Sequence, residues 1–453
     1  MRVAVVGGGI AGLAAAWELT CGPQPADVTV FEPGPLGGRI QTETFLGHRV
    51  DTGADAFIAR VPDGVGLAAE LGIEEELIAP AARRALILVG GRLRPLPDGL
   101  VLGAPARLRP LLRSGIISPA GVLRAALDLV LPPTTWPEDP SVARVVGQRF
   151  GSQVAERLVD PLVGGIHAGG TEHLSAESTA PQLARAARSH RSLLLGLRAL
   201  PSPPDGPLFL APRAGMGRLV DRLVEALGQR GVGFEALAVS RIIGEKGGAV
   251  MVEPFGAFDA AVVATPAGVA TDLVLDSAPD ASDELRGIRS ASVVLATFAY
   301  RRSEIAVPDG TSGILVAAGE GRLMTACSFG SAKWPHWSDR DTMVLRVSAG
   351  RAGDERALQL PDDDLVDQLQ RDVAGALGTT ASPFHWRVSR WREAFPQYEV
   401  GHRTRVERIE AALRRDLPGV ALAGASLRGS GIPACIASGR QAARSLRGRG
   451  SGT

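Results

Sequence analysis

"VAVVGGGIAGLAAAWEL", residues 3–19, sets three consecutive glycines between an apolar run and a stretch of strong helix formers. Val3 to Val6 predict a buried parallel strand, and Ala11 to Leu19 predict a helix. Between them Gly7, Gly9 and Gly12 fall in G-x-G-x-x-G spacing. In that spacing the first glycine permits a tight turn and the second lets an anionic group reach the main chain. The third lets the helix press on the strand. Unpaired N–H groups and the positive end of the helix dipole then meet a bound diphosphate. Glycine-rich turns are common, so the pattern needs its surroundings. "DVTVFEP" (27–33) supplies them, predicting the next strand of a βαβ unit with Glu32 at its end, about 20 residues past the glycines. A carboxylate there accepts two ribose hydroxyls and repels a 2′-phosphate, which disfavours a phosphorylated nicotinamide cofactor. In this context a merely solvated strand-end glutamate is the weaker reading.

The bulk numbers narrow the class. A chain of 453 residues exceeds one small core and predicts two or three domains. Hydrophobic residues at 45% and charged residues at 21% describe a globular protein, neither disordered nor fibrous. A formal net charge of +1 argues against a nucleic-acid partner, which calls for a strong basic stripe. Lys246 and Lys333 are the only lysines, so arginine carries nearly all the positive charge. Cys21, Cys327 and Cys435 are odd in number and far apart, which predicts a reducing cytoplasm and no disulfide framework. The amino terminus shows no secretion signal, and no apolar run is long enough to span a membrane. "ARLRPLLRSGIISPAGVLRAALDLVLPP" (106–133) is apolar with basic punctuation. It predicts a helix pair packed on its own protein, with peripheral membrane contact as the alternative.

Later segments return to the same theme. "LGGRIQTETF" (36–45) follows Glu32 with a second glycine pair, Gly37 and Gly38, and with Arg39 as a cation. "VDTGADAF" (50–57) holds Gly53 and Ala54. "GMGRLVDRLVEALGQRGVGFEALAVSRI" (215–242) predicts a helix, a turn and a strand, and "FDAAVVATPA" (258–267) a second buried strand ending in small residues. "VALAGASLRGSGIPACIASGRQAARSL" (420–446) predicts a strand, a glycine-rich loop and a helix. Together these segments resemble the two-dinucleotide-binding flavoproteins of the amine-oxidase type. The resemblance implies FAD, contacted by Gly7, Gly9, Ile10, Ala11, Gly12, Glu32, Gly37, Gly38 and Arg39. It places Gly53 and Ala54 beneath the flavin ring, Val239 as a backbone partner of adenine, and Gly424, Gly431, Ile432 and Ala434 at the closing motif. That motif points a helix N-terminus at the pyrimidine end of the ring, where it favours the negative charge of reduced flavin.

Four further stretches narrow the branch. "DPLVGGIHAGGTEHLSAES" (160–178), "CSFGSAKWP" (327–335), "WREAFPQYEVGH" (391–402) and "GIPACIASG" (431–439) resemble the bacterial porphyrinogen oxidases of haem synthesis. The resemblance implies loss of six electrons as three hydrides to flavin N5, reoxidation by dioxygen and release of peroxide. Tautomerisation lets one meso carbon serve repeatedly, so no side-chain base is obligatory and no catalytic residue is assigned. That agrees with a sequence holding no nucleophile–base pair and no metal cluster. His167 and His402 read as hydrogen-bonded structural residues, with proton transfer as the alternative. Phe329 is a candidate pocket wall, the backbone at Gly165 a candidate contact to the macrocycle, and Arg84, beside Arg83, a candidate grip on a substrate carboxylate. Relatives carry that arginine one position later, at Ala85, so the match is displaced. Coproporphyrinogen III, with four propionates, is preferred to protoporphyrinogen IX because a more charged substrate needs no membrane and suits arginine. The resemblance also implies a transient encounter with a ferrochelatase.

Rival classes fit less well. Amine oxidases set an aromatic cage and a lysine at the flavin. Here neither Tyr300 nor Tyr398 stands at the position before the carboxyl-terminal glycine loop where a cage ring is expected, and "SASVVLATFAY" (290–300) has no lysine. A carotenoid desaturase would lack "PQYEVGH", and a non-catalytic flavin carrier would have no reason to keep the sequences around the ring. The expected architecture is α/β. A Rossmann-like FAD domain comes from 1–82, 204–270 and 410–453, a mixed-sheet substrate domain from 83–99 and 271–409, and a helical domain from 100–203. The proline-rich "LPSPPDGP" (200–207) reads as a linker.

Overall fold

The computed structural model describes residues 1–201 and 205–448, so the linker expected at 200–207 lies partly outside the described residues. The chain forms two compact units. One comprises Met1–Ala79, Gly206–Arg289 and the segment from His402 onward; the other comprises Pro80–Asp205 and Ser290–Gly401.

The first unit is built on a five-stranded parallel sheet. Its spatial order is Gly233–Glu235, Asp27–Phe31, Arg2–Val6, Ala260–Val263 and Val420–Leu422. In chain order those strands run 3-2-1-4-5, the doubly wound arrangement in which strand order reverses beside the first strand. The central strands are apolar on both faces because both are covered: Val3, Ala4, Val5, Ala261 and Val262 are fully buried. The helix Ile10–Thr20 follows the first strand and the helix Ile432–Arg447 follows the last. They pack backbone to backbone, since a Cβ on Gly439 would lie 2.0 Å from the Ala11 carbonyl oxygen. The other face carries an antiparallel ribbon, Arg241–Gly244, Val250–Glu253 and Gly256–Phe258.

Residues 80–82 and 205 fall in the second unit, a shift of a few residues from expectation, and two boundaries differ by more, for a packing reason. Helices Ala267–Val274, Pro279–Arg286 and His402–Asp416 bury Leu273, Leu285, Ile409 and Leu413 in one core with Ile242 and Phe258 of that ribbon. Residues 271–289 and 402–409 therefore belong to the nucleotide unit, where the sequence placed them in the substrate domain. The helical and mixed-sheet domains, drawn separately in the sequence, form one unit. Ile87 and Val89 of the sheet, with Ala317 just past one of its strands, share the helical core with Leu158, Leu183 and Leu194.

The second unit centres on a seven-stranded mixed sheet, in the order His385–Pro396, Ser290–Arg301, Thr342–Ala349, Met324–Ser328, Thr311–Val316, Arg84–Val89 and Arg92–Pro95. Only the Thr311–Val316 and Arg84–Val89 pair runs parallel. The helix Asp362–Leu377 buries Leu365, Leu369 and Val373 in that sheet's core. In the helical part, 106–133 packs on its own protein through Leu111, Ile116, Ile117, Val122 and Ala125, while Leu123, Leu127 and Val130 stay exposed. A buried ion pair anchors it. Asp128 and Arg149 bond each other; Asp128 also accepts from Leu194 N at 2.8 Å, and Arg149 donates to the Pro132 and Arg191 carbonyls. Such a pair is tolerable because its remaining lone pairs and protons are satisfied.

Among the described residues no helix is long and apolar enough to cross a membrane. No His, Cys, Asp or Glu cluster there could hold a metal, and the three cysteines are free thiols.

Candidate active site

The carboxyl ends of the first, fourth and fifth strands meet at the strand-order reversal, where open α/β sheets bind ligands. Gly7, at φ +107°, is forced there: a Cβ would lie 2.9 Å from the Ala264 carbonyl. Gly12 is forced too, since its Cβ would stand 1.9 Å from the Gly7 oxygen. Gly9 is different. It caps the helix Ile10–Thr20 with φ −71° and ψ 173°, a conformation any residue adopts, and a Cβ on it would meet no protein atom within 4 Å. The protein itself has no use for a glycine at that point. What the missing side chain leaves is room above a helix N-terminus, with Ile10 and Ala11 buried as the first helical residues.

Glu32 is held beside this turn. Its Oε2 accepts from Gly8 N at 2.8 Å and its Oε1 from Gly34 N at 2.9 Å. A carboxylate has about four acceptor positions, so two remain for a diol. The second glycine pair lies directly on the first: Gly37 N donates to Gly8 O at 2.8 Å, and Gly9 and Gly37 form a parallel bridge. A Cβ on Gly38 would approach Gly9 Cα at 3.3 Å. Arg39 then carries its charge close to Cys435 in the first turn of the carboxyl-terminal helix. There burial pushes the thiol up to about 12 and the guanidinium opposes that rise. Gly424, at φ +114°, donates its N–H to Ser438 Oγ at 3.0 Å, and a Cβ on it would lie within 4 Å of Ala11 and Ala264. Gly431 caps the helix Ile432–Arg447 without a side-chain cap, leaving the N–H groups at Ile432 and Ala434 for a ligand.

The structure thus gathers Gly7, Gly9, Gly12, Glu32, Gly37, Gly38, Arg39, Gly424, Gly431, Ile432 and Ala434 at one end of one sheet. Gly53 and Ala54 lie in the loop after the strand His48–Asp51 of the same unit, half-buried and exposed respectively. Val239 departs from expectation. It lies in the connection between Gly233–Glu235 and Arg241–Gly244, not in a strand, and its side chain packs against the ribbon core. Sequence reasoning also missed Thr265. Its Oγ1 is buried with no hydrogen-bond partner, one residue past the Ala264 carbonyl that crowds Gly7. A threonine ending a buried apolar strand was the available signal. An orphaned hydroxyl costs about 1–3 kcal/mol, which a bound group within reach would relieve. Open space at Gly9, spare acceptors on Glu32 and this hydroxyl fit an adenine dinucleotide diphosphate.

The substrate candidates divide. Phe329 is 0% exposed inside the mixed-sheet core with Leu345 and Met324, so it supports the sheet and is not a pocket wall. An apolar ring at a strand end satisfies either role, and packing decides. Arg84 is exposed, its Nη2 donating to the Asp309 carbonyl at 2.7 Å. Gly165 is exposed, with nothing within 4 Å of a Cβ. The histidines read as structural. Burial pulls His167 down to about 4, so it stays neutral and is a poor proton acceptor near neutrality. A ring nitrogen of His402, Nε2, bonds the Leu427 carbonyl at 2.7 Å.

Comparison with known proteins gives concordant results. Coproporphyrinogen III oxidase of Bacillus subtilis is 31% identical over 97% of this chain and 97% of its own. That of Mycobacterium bovis is 36% identical over 98% of this chain and 96% of its own. A crystal structure from Exiguobacterium sp. 255-15, assigned to the protoporphyrinogen oxidases, superposes with a TM-score of 0.89 at 28% identity, covering 99% of each chain. The family described as flavin containing amine oxidoreductase matches residues 10–447. The chain belongs to that family, and FAD is its cofactor.

Proposed function

We propose that this protein catalyses the six-electron oxidation of coproporphyrinogen III to coproporphyrin III in haem biosynthesis, consuming three dioxygen and releasing three hydrogen peroxide. One observation carries the reading: similarity to the Bacillus and Mycobacterium enzymes runs through both compact units, not through the nucleotide motifs alone. When bound, FAD supplies a hydride acceptor that dioxygen can reoxidise. The chain's own residues do the holding. The N–H groups at the helix start, 9–12, with that of Gly38, take the diphosphate and Glu32 takes the ribose. Ile432 and Ala434, at a helix N-terminus, favour negative charge at their end of the cofactor. In the second unit the Gly165 backbone offers a main-chain contact and Arg84 a cation for a propionate. No side chain is assigned as acid or base, and buried neutral His167 is consistent with that. Three unpaired cysteines suit a cytoplasmic setting.

A second reading, protoporphyrinogen IX as substrate, is favoured by the assignment of the Exiguobacterium structure. Anaerobic mixing of the flavin-loaded protein with each porphyrinogen, following loss of flavin absorbance, separates the two. Fast bleaching by coproporphyrinogen III with slow bleaching by protoporphyrinogen IX is expected. The reverse order selects the second reading, and bleaching by benzylamine alone overturns both.

A further inference from the structure

The hairpin that joins the second glycine pair to the Gly53–Ala54 loop carries a buried acid at its open end. Thr42–Phe45 pairs antiparallel with His48–Asp51, which sets Thr42 opposite Asp51. At that end "LGGRIQ" (36–41) enters and "TGADAF" (52–57) leaves. Asp51 is 1% exposed. Its Oδ1 accepts from Thr42 Oγ1 and from Met216 N, the latter at 2.9 Å, and Thr42 Oγ1 in turn accepts from Gly217 N at 2.7 Å. Those two N–H groups begin the helix Gly217–Gln229, whose first residues provide no side-chain cap and no acid. The stretch "RAGMGRLV" (213–220) contains no Ser, Thr, Asp or Asn to do so. A buried helix start must still find acceptors. This one finds them on a hairpin 165 and 175 residues earlier in the chain. The fit is close: a Cβ on Gly215, at φ +90°, would lie 2.5 Å from the Thr42 methyl, and one on Gly217 2.9 Å from its hydroxyl.

Both sides of this junction lead to the diphosphate turn. One turn into the helix, Val220 packs on Gly37, where an added Cβ would meet its methyls at 3.0 and 3.1 Å. Next to Thr42, Gln41 O accepts from Thr52 N at 3.0 Å, and Gln41 Nε2 donates to Gly38 O at 3.0 Å. Gly37 and Gly38 are the pair that lies on Gly8 and Gly9.

We propose that Thr42 and Asp51 are positioning residues for FAD: by capping Gly217–Gln229 they set where Gly37 and Gly38 stand over the Gly9 turn, and so how long the diphosphate is held. Neither side chain has to touch the cofactor. A carboxylate suits the place because one oxygen accepts from a hydroxyl and an N–H while facing the positive end of a helix dipole. A threonine suits its own because a hydroxyl accepts from one partner and donates to another. The inference concerns the cofactor and holds whichever porphyrinogen is oxidised.

The test follows FAD leaving the flavin-loaded protein. Readouts are the release rate, from recovery of flavin fluorescence after dilution, the FAD retained after dialysis, and Tm. Thr42→Val keeps the volume and orphans Gly217 N, so release is expected to quicken about tenfold. Thr42→Ser keeps the hydroxyl and should stay within about twofold of wild type. Asp51→Asn keeps one carbonyl oxygen and should fall between, and adding Thr42→Val to it should give little more than Thr42→Val alone, because the two changes break one shared bond. Leu227→Ala is the comparator. Leu227 is 0% exposed and lies on the same helix, further from its start, so its loss should lower Tm by several degrees with release within about twofold. Release from Thr42→Val within twofold of wild type overturns the proposal. So does a Leu227→Ala protein that loses FAD as fast as Thr42→Val, since lost stability alone then accounts for both. Should Asp51→Asn not fold, the two Thr42 variants still decide. Gly9→Ala separates the levels of the argument: fast release there with slow release from Thr42→Val fails only this inference, whereas slow release from both fails the assignment of the diphosphate to the turn.

Discussion

Replacing Gly9 with alanine separates what the protein needs from what its cofactor needs. The backbone at φ −71° and ψ 173° accepts alanine, and the new methyl meets no protein atom within 4 Å. In the cofactor-free protein two small terms oppose each other. Alanine is a poorer helix cap than glycine by about 1 kcal/mol, while its stiffer unfolded chain returns about 0.4–1 kcal/mol. The net falls within about 1 kcal/mol, a Tm shift of at most about 4 °C for a unit of this size. FAD feels something else. A phosphate oxygen that bonded the N–H groups at this helix start would need the space that the methyl fills. Retreating from it loses about two hydrogen bonds to a charged group, at about 1.5–3 kcal/mol each. That is about 10²- to 10⁴-fold in Kd. Thermal unfolding of the cofactor-free protein and fluorescence titration with FAD read the two effects independently. Gly12→Ala is the control with the opposite signature: its methyl would lie 1.9 Å from the Gly7 oxygen, so the fold itself is expected to suffer. A Gly9→Ala protein that binds FAD as tightly as wild type refutes the assignment of that space to the diphosphate.

Three other expectations follow from single groups. Glu32→Ala should weaken FAD retention about tenfold or more while thermal unfolding stays cooperative, because the carboxylate's two free acceptor positions are lost; unchanged FAD occupancy after dialysis would count against the ribose role. Thr265→Val removes an orphaned buried hydroxyl, so the cofactor-free protein should be as stable as wild type or slightly more so, with FAD affinity down about tenfold; equal affinity would mean the hydroxyl bonds no part of the cofactor. His167 is pulled from 6.5 to about 4 by burial, so its neutral form is the one the fold accommodates. Its contribution is therefore complete above about pH 6.5 and declines as pH falls toward 4, by about 3 kcal/mol in total. Urea unfolding at pH 7.5 and pH 4.5 should show a steeper loss in wild type than in His167→Gln, and parallel losses would show that the ring titrates freely.

What was legible in the sequence was whatever a local spacing enforces. Gly7, Gly12 and Glu32 sit within one βαβ unit, so their roles follow from a strand, a turn and a helix that need no distant partner. Phe329 was misjudged because a pocket wall and a core both call for an apolar ring, and only the neighbours Met324 and Leu345 tell them apart. The helices Pro279–Arg286 and His402–Asp416 are plainly amphipathic, but amphipathicity says that a face is buried and not which sheet buries it. Val239 fell outside a strand for a similar reason: apolar alternation continues from Gly233–Glu235 while the pairing partner, Asp27–Phe31, has ended.

Glycine shows most clearly where reading by spacing stops. Gly439 looks like an unfavourable residue in the middle of a helix, costing about 1 kcal/mol against alanine. The structure gives it the same reason as Gly12, a neighbouring main chain too close for any Cβ, although the carbonyl it must clear belongs to Ala11 at the far end of the polypeptide. Gly7, Gly12 and Gly439 are thus demanded by the fold, and a cofactor-free protein should defend all three. Gly9 is demanded by nothing in the fold. The three glycines that the spacing treats alike fall into two physical classes, and of these only Gly9, with empty space above a helix N-terminus, speaks of a ligand. For that reason the open position at Gly9, more than the number of glycines around it, carries the assignment of a diphosphate to this turn.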